Sequence, residues 1–383
     1  MTPRPLRILL VGDYDDDPRL GSAKVSFKLR EELRSAGHHC DALFSSDLGS
    51  RPSGRQMRQL VAPALAAGAI SRALSRHPYD VVDAASAEGL WFGAGRRLGA
   101  WRGTALVCRS NGIEHLNYRR MVGDSDAGVL AKPWTRRLWY PASRLSQVAA
   151  AARVADRLVV LNDVDRRFAI ARGWQPAERI DVVLHGVSER FLTGAVAAPA
   201  RGAGVLFCGA WDFVKGITYL VAAFRQLSEQ GNAVPLTILG SGVPAHVVLG
   251  AFPEHLRPLV SVIDRVPEDR VVDEYRRHDL LVFPSTYEGF GLVVLEAMSQ
   301  GLPVVATPVG CVPGLVQDGV TGAIVPARDS AALAGAIARL MSSHGERQRL
   351  GARAIAAVHE LTWRKTAERT IDVYEKALHQ VRA

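Results

Sequence analysis

Short apolar-rich runs recur along this chain, each separated from the next by a longer segment with helical apolar spacing. That alternation leaves few folds open. In the first half the runs are Leu6–Val11, Cys40–Phe44, Val81–Ala84, Ala105–Cys108, Leu158–Leu161 and Ile180–Leu184. In the second half they are Val205–Cys208, Leu236–Leu239, Leu259–Ile263, Leu280–Phe283, Val304–Ala306 and Ala323–Val325. Strands covered on both faces read as continuous apolar runs, and parallel strands need a crossover segment between them. Helices are predicted at Ala23–Ala36, Gln56–Arg76, Trp134–Arg153, Ile217–Glu229, Asp269–Arg277, Leu292–Gln300, Ala331–Ser342 and Arg347–His359. Between the two series, the Ala-, Pro- and Gly-rich stretch 195–204 has no apolar period and reads as linker.

The expectation is therefore an α/β protein with two Rossmann-like, doubly wound domains facing a cleft. The first covers 1–190 and is completed by a C-terminal helix of about 364–383. A linker covers 191–203, and the second domain covers 204–363. The 383 residues can bury such cores without staples. With 48% hydrophobic and 22% charged residues, wholesale disorder is excluded. The apolar run Leu60–Ile70 is too short for a membrane span. Ile8–Val11 runs directly into Asp13 and Asp15–Asp17, unlike a signal peptide, so a cytoplasmic protein is expected. Cys40, Cys108, Cys208 and Cys311 form no C-x-x-C pair and read as buried free thiols.

The net charge of +9 lies wholly in the first half, where residues 1–190 hold 29 Lys and Arg against 20 Asp and Glu. Residues 51–153 alone hold 16 against 6, including Arg58, Arg119, Arg120, Arg136 and Arg137. This surplus suits an anionic partner, and the apolar residues of Leu60–Leu74 beside it suggest an interfacial helix on an anionic membrane. A solvated Arg-rich face is the plain alternative. Nucleic acid is not expected, because no stacking motif or known module accompanies the charge.

The most informative stretch follows the run Leu280–Phe283. Pro284-Ser285-Thr286-Tyr287-Glu288-Gly289-Phe290-Gly291 leads into an apolar helix carrying Glu296. A glycine-rich loop opening a helix after a strand presents free backbone N–H groups and a positive helix end, a ready site for an anion. Gly289 and Gly291 let a ligand approach the backbone. Glu288 and Glu296 lie about two helical turns apart and could grip two hydroxyl-bearing parts of one elongated ligand. In the first half, Gly21 and Ser22 open the first helix, and Ser22 suits an N-cap. Asp15-Asp16-Asp17 contains a D-x-D but reads as a solvated loop, so no metal site is expected. No G-x-G-x-x-G follows the first strand, and no Walker loop or H-E-x-x-H is present.

The pattern E-G-F-G-L-x-x-L-E-A-M at Glu288–Met298, followed by Gly301-Leu302-Pro303-Val304-Val305-Ala306-Thr307, resembles the retaining glycosyltransferases of family 4, with the GT-B fold. Lys215-Gly216 within Val205–Phe224, the turn Asp318-Gly319-Val320-Thr321-Gly322 and Trp363 before the last helix extend the likeness. It is strong over 204–365 and weaker over 1–190. The resemblance implies a retaining transferase of EC 2.4 type that moves a sugar from a nucleotide-diphosphate sugar to an acceptor hydroxyl. The acceptor would be a lipid-linked sugar or other glycan, as in polysaccharide biosynthesis, and no cofactor or metal is implied beyond the donor itself. Glu288 would contact the donor sugar, Lys215 neutralise the diphosphate, and Glu296 hold the ribose. Backbone amides of Gly289, Phe290, Gly291 and Leu292 would bind phosphate and sugar, with Gly21 and Ser22 close to the donor phosphates. The sequence departs from the family at two places. Ala210 follows Gly209 where a second cation is usual, leaving Arg265 as a candidate stand-in. Asn111 takes the place of a histidine, so it can hydrogen-bond a sugar but cannot move a proton. Glu114 and His115 beside it read as a surface pair or as site residues. The alternatives are a non-catalytic sugar-nucleotide-binding module and a GT-B nucleotide-sugar epimerase.

Overall fold

The computed structural model describes residues 4–50, 52–129, 134–192 and 202–382. Most of the expected linker, 193–201, lies outside the described residues. The chain forms two compact units, residues 4–185 with 363–382 and residues 186–362.

The first unit is built on six parallel strands: β1 (Arg7–Val11), β2 (His39–Leu43), β3 (Val81–Ala85), β4 (Ala105–Arg109), β5 (Arg157–Val160) and β6 (Ile180–Val182), in the order β2-β1-β3-β4-β5-β6. Alternate residues of each strand face opposite layers. Leu9, Val82, Leu106 and Leu158 pack under the helices Arg55–Arg76, Leu90–Arg97 and Ser146–Val154. Ile8, Val81, Val107 and Val159 pack under Gly21–Ser35 and the C-terminal helix Trp363–Arg382. Leu60–Leu74 thus turns most of its apolar residues to the core and leaves Leu60 exposed. Ala66, Ala69, Ile70 and Leu74 form the core-facing stripe of Arg55–Arg76 and are consumed by the sheet.

The second unit repeats the plan with β7 (Val205–Cys208), β8 (Leu236–Leu239), β9 (Val260–Ile263), β10 (Leu280–Phe283), β11 (Val304–Ala306) and β12 (Ala323–Ile324), all parallel, in the order β12-β11-β10-β7-β8-β9. All twelve predicted strands are present, within a residue or two at their ends.

Among the described residues, five α-helices were not predicted: Leu90–Arg97, Glu114–Asp126, Asp163–Ala171, Ala245–Gly250 and Val312–Leu315. The predicted helix Trp134–Arg153 is interrupted by a π-helical turn at Pro141–Leu145, where Pro141 has no N–H to donate. Cys40, Cys108 and Cys311 are buried, but Cys208 at the end of β7 is only half-buried.

One buried acid sets a pH dependence. Asp165 receives the backbone N–H of Ile113, and burial pushes its carboxyl up to about 7 from 3.8. Folding therefore favours its protonated form. Its cost is absent below about 3.8, grows as the pH rises, and is complete above about 7. Asp165→Asn is expected to raise the Tm at pH 8, where it removes a cost on the order of a few kcal/mol, and to leave it nearly unchanged at pH 4. Calorimetric scans at the two pH values check this.

Candidate active site

In each sheet the strand order reverses beside the first strand of the unit, and the crevice beyond the strand C-termini at such a switch point is where α/β sheets take ligands. In the second unit the switch lies between β7 and β10. After β7, Asp212 caps the 3₁₀ turn Phe213–Lys215 by accepting the Val214 N–H at 2.9 Å. Gly216 follows in the left-handed region at φ 74°, where a Cβ would lie 1.9 Å from the Pro284 carbonyl oxygen. Only glycine permits that approach of the β7 loop to the β10 loop. The Thr286 N–H seals it, donating to the Val214 carbonyl at 2.8 Å.

This closure brings together two residues 73 positions apart. The Lys215 ammonium donates to Glu288 Oε1, and the Ser285 hydroxyl donates to the same oxygen at 3.1 Å. Both side chains keep some exposure, 28% for Lys215 and 12% for Glu288. The loop that carries Glu288 is held from behind. Thr307 Oγ1 donates to the Ser285 carbonyl at 2.5 Å, and the Cys311 N–H donates to the Phe290 carbonyl at 2.6 Å. Gly310, at φ 59°, approaches so closely that a Cβ would sit 2.3 Å from the Phe290 oxygen. Gly291, at φ 95°, is the N-cap of Leu292–Ser299, and no side chain caps that helix. Gly289, Phe290, Gly291 and Leu292 thus carry the backbone around the positive helix end, beside a lysine and a carboxylate. Thr307, Gly310 and Cys311 act as props that the sequence reading did not assign; only Thr307 lay inside the motif.

Glu296 is buried about one turn along that helix and accepts the Tyr275 hydroxyl at 3.1 Å. Burial first, then Cys208 and Glu296, raise the Tyr275 hydroxyl well above its ordinary value, so it stays a donor. Tyr275, on the helix Glu268–Arg277, was not foreseen because nothing in its local pattern marks it. Arg265 is not brought to the Lys215–Glu288 pair. It lies exposed after β9, its guanidinium against Gly242 in the loop after β8. Ala210 leaves its position without a cation, and the neighbouring Trp211 ring packs on Phe207 and Phe252.

In the first unit the switch lies between β1 and β3. The helix after β1 starts at Gly21, its N-cap is Leu20 and no side chain caps it. Ser22 is therefore not the cap. It lies inside the first turn, because the chain enters the helix two positions earlier than expected. Asp17 is taken up by the Arg19 backbone N–H and guanidinium, both at 2.9 Å. Ser86, after β3, has a positive φ of 52°. Its hydroxyl donates to Glu114 at 2.6 Å. Glu114 also receives Tyr140 at 2.9 Å and a two-pronged contact from Arg144, which reaches Glu88 at 3.2 Å. Arg144 stands in the π-helical turn. Burial opposes the charge on Glu114, but Arg144 and the two hydroxyls outweigh it and hold the carboxyl below its ordinary value. Burial raises that of Glu88.

Glu114 and His115 are therefore not a surface pair. Glu114 belongs to the Arg144 network, and His115 packs edge-on to Trp174 at 4.9 Å. Asn111 sits after β4, with Oδ1 buried and without a partner among the described residues.

Residues 202–343 match the family described as glycosyl transferases group 1. The chain carries a glycosyl transferases group 1 domain. That domain spans β7 to the helix Ser330–Ser342 and includes Lys215, Glu288 and Glu296. The chain is 32% identical to a D-inositol 3-phosphate glycosyltransferase of Nocardia farcinica over 240 residues, which are 58% of this chain and 53% of that protein. It spans about half the length of the curated relatives it matches. Among solved structures, sucrose-phosphate synthase of Thermosynechococcus elongatus superposes with a TM-score of 0.79 at 22% identity, covering 98% of this chain and 100% of that one. Anabaena HepE, solved with UDP and glucose, gives 0.69 at 18% identity, covering 96% and 98%. The fold is the GT-B fold, two parallel six-stranded α/β units.

Proposed function

We propose that the protein is a glycosyltransferase that moves a sugar from a nucleotide-diphosphate sugar to an acceptor hydroxyl with retention of anomeric configuration. The observation that carries this reading is the meeting of Lys215 and Glu288 at the positive end of Leu292–Ser299. Breaking the sugar–diphosphate bond leaves negative charge on the leaving oxygens. A preset ammonium and a ring of backbone N–H groups stabilise that charge as it develops. Lys215 turns from Glu288 to the diphosphate, and Glu288 is released to the sugar. Glu296, steadied by Tyr275, holds the ribose hydroxyls. The acceptor hydroxyl attacks from the face the diphosphate leaves, and its proton passes to the departing phosphate. Asn111 in the first unit contributes a hydrogen bond to a sugar and no proton transfer.

HepE was solved with UDP and glucose, which supports a nucleotide-sugar donor of this class here. The acceptor is a lipid-linked sugar or another glycan of polysaccharide biosynthesis, used at the anionic inner face of a membrane from the cytoplasm. Lys215 and the helix end supply the charge that a metal supplies elsewhere. Activity is therefore expected to be unchanged in excess EDTA; full loss restored by manganese would contradict this.

Incubation with a panel of nucleotide sugars, with release of nucleoside diphosphate as the readout, tests the reading. One donor should be consumed, faster with acceptor present. Binding without consumption would favour the non-catalytic module that Ala210 and Asn111 motivate. An isomerised sugar would favour the epimerase.

A further inference from the structure

The basic surplus of the first unit is concentrated on one helix layer. The stretches 48–79, 89–113 and 127–155 contain no Asp or Glu. They supply Arg55–Arg76, Leu90–Arg97 and Ser146–Val154, which lie together on one face of the sheet. The helices on the other face carry both signs, with Glu31 and Glu32 on one and Glu368, Asp372 and Glu375 on the other.

The same layer carries apolar side chains that the core does not absorb. Leu98 is 88% exposed and Trp91 is 55% exposed. They stand seven positions apart, on one side of Leu90–Arg97 and its C-cap. Trp101 follows three residues later, also exposed, in a turn where its φ is 52°. Arg97 and Arg102 flank them and are exposed as well. In the second unit, by contrast, Val247 is the one exposed large hydrophobic among the described residues.

We propose that this layer docks on an anionic lipid bilayer, with Trp91, Leu98 and Trp101 entering the headgroup boundary and the surrounding arginines meeting the lipid phosphates. Tryptophan suits that boundary because its ring is largely apolar and its N–H reaches polar groups. Arginine without a nearby exposed acid is the charge complement of an anionic leaflet. Nucleic acid would match the charge but would leave Leu98 and the indole faces without an apolar partner. The docking surface gives a location to the membrane contact proposed above. Its test uses neither donor nor acceptor, so it fails or holds apart from the transferase reading.

The full chain is mixed with phosphatidylglycerol vesicles or with pure phosphatidylcholine vesicles, and the bound fraction is read by co-sedimentation. Binding is expected with the anionic vesicles only, and it should fall as salt rises. Tryptophan emission should shift to the blue, and brominated anionic lipid should quench it. Trp91→Ser/Leu98→Ser/Trp101→Ser should lower partitioning at least about tenfold and abolish the quenching. Arg97→Glu/Arg102→Glu should lower partitioning without removing any apolar group. Far-ultraviolet circular dichroism and the thermal unfolding midpoint should be unchanged in both variants, whose substitutions are all on the surface. Equal and negligible recovery with both vesicle types, or unchanged binding in both variants, would overturn the proposal. So would duplex DNA that binds more tightly than the vesicles and displaces them.

Discussion

Glu288→Gln is expected to lower kcat at least about 100-fold, the usual effect of losing one charged group that acts on the transition state. Glutamine keeps the shape of the loop and can still accept from Ser285. It cannot balance the charge that grows on the sugar as the diphosphate leaves. The same substitution removes the carboxylate that holds Lys215 in the structure. The ammonium should then be free for a diphosphate, so nucleoside diphosphate should bind Glu288→Gln at least as tightly as it binds the native protein. Steady-state rates together with nucleotide titration separate the two effects. Native turnover in this variant would remove the assignment of Glu288.

The largest effect on stability is expected at Arg109. Its guanidinium donates to Asp83 at 3.0 and 2.6 Å, and Tyr374 of the C-terminal helix donates to Asp83 at 2.6 Å. All three residues are buried. Burial opposes the Arg109 charge, and the neighbouring Asp83 more than restores it, so its affinity for the proton is raised. Arg109→Met would leave Asp83 charged, buried and met by a single hydroxyl. Breaking a buried pair from one side costs about 3–5 kcal/mol. The chemical unfolding midpoint of the first unit should fall accordingly. Adding Asp83→Asn to Arg109→Met should recover a good part of the loss, because the uncompensated charge is then gone. A midpoint unchanged in Arg109→Met would contradict the role given to this triad.

The strands were legible because a parallel strand is buried on both faces and writes an apolar run. Leu90–Arg97 was missed because Gly93 and Gly95 interrupt it; Gly93 is required there by the close approach of Val154 and Leu106. Leu60–Leu74 was legible only in part. Its apolar residues were plain in the sequence, but which of them met the sheet was not: Met57 and Leu60 stay outside, as do Trp91 and Leu98 on the neighbouring helix. In the site, Lys215 and Glu288 were each visible within local motifs. Their direct contact depends on β7 and β10 being neighbours, which no local pattern states. Glu88, Glu114 and Arg144 come from three separate segments and share no motif, so their network had no signal in the sequence. Tyr275 likewise meets Glu296 only through the packing of two helices.

The account rests on the second unit holding a diphosphate between Lys215 and the amides at Gly291. Calorimetric titration of UDP, GDP and ADP into the native protein and into Lys215→Ala tests that directly. One of the three nucleotides should bind the native protein at a single site, and Lys215→Ala should weaken it at least about tenfold, as loss of a charge-assisted contact to phosphate requires. No binding of any nucleoside diphosphate, or equal affinity in the two proteins, would contradict it.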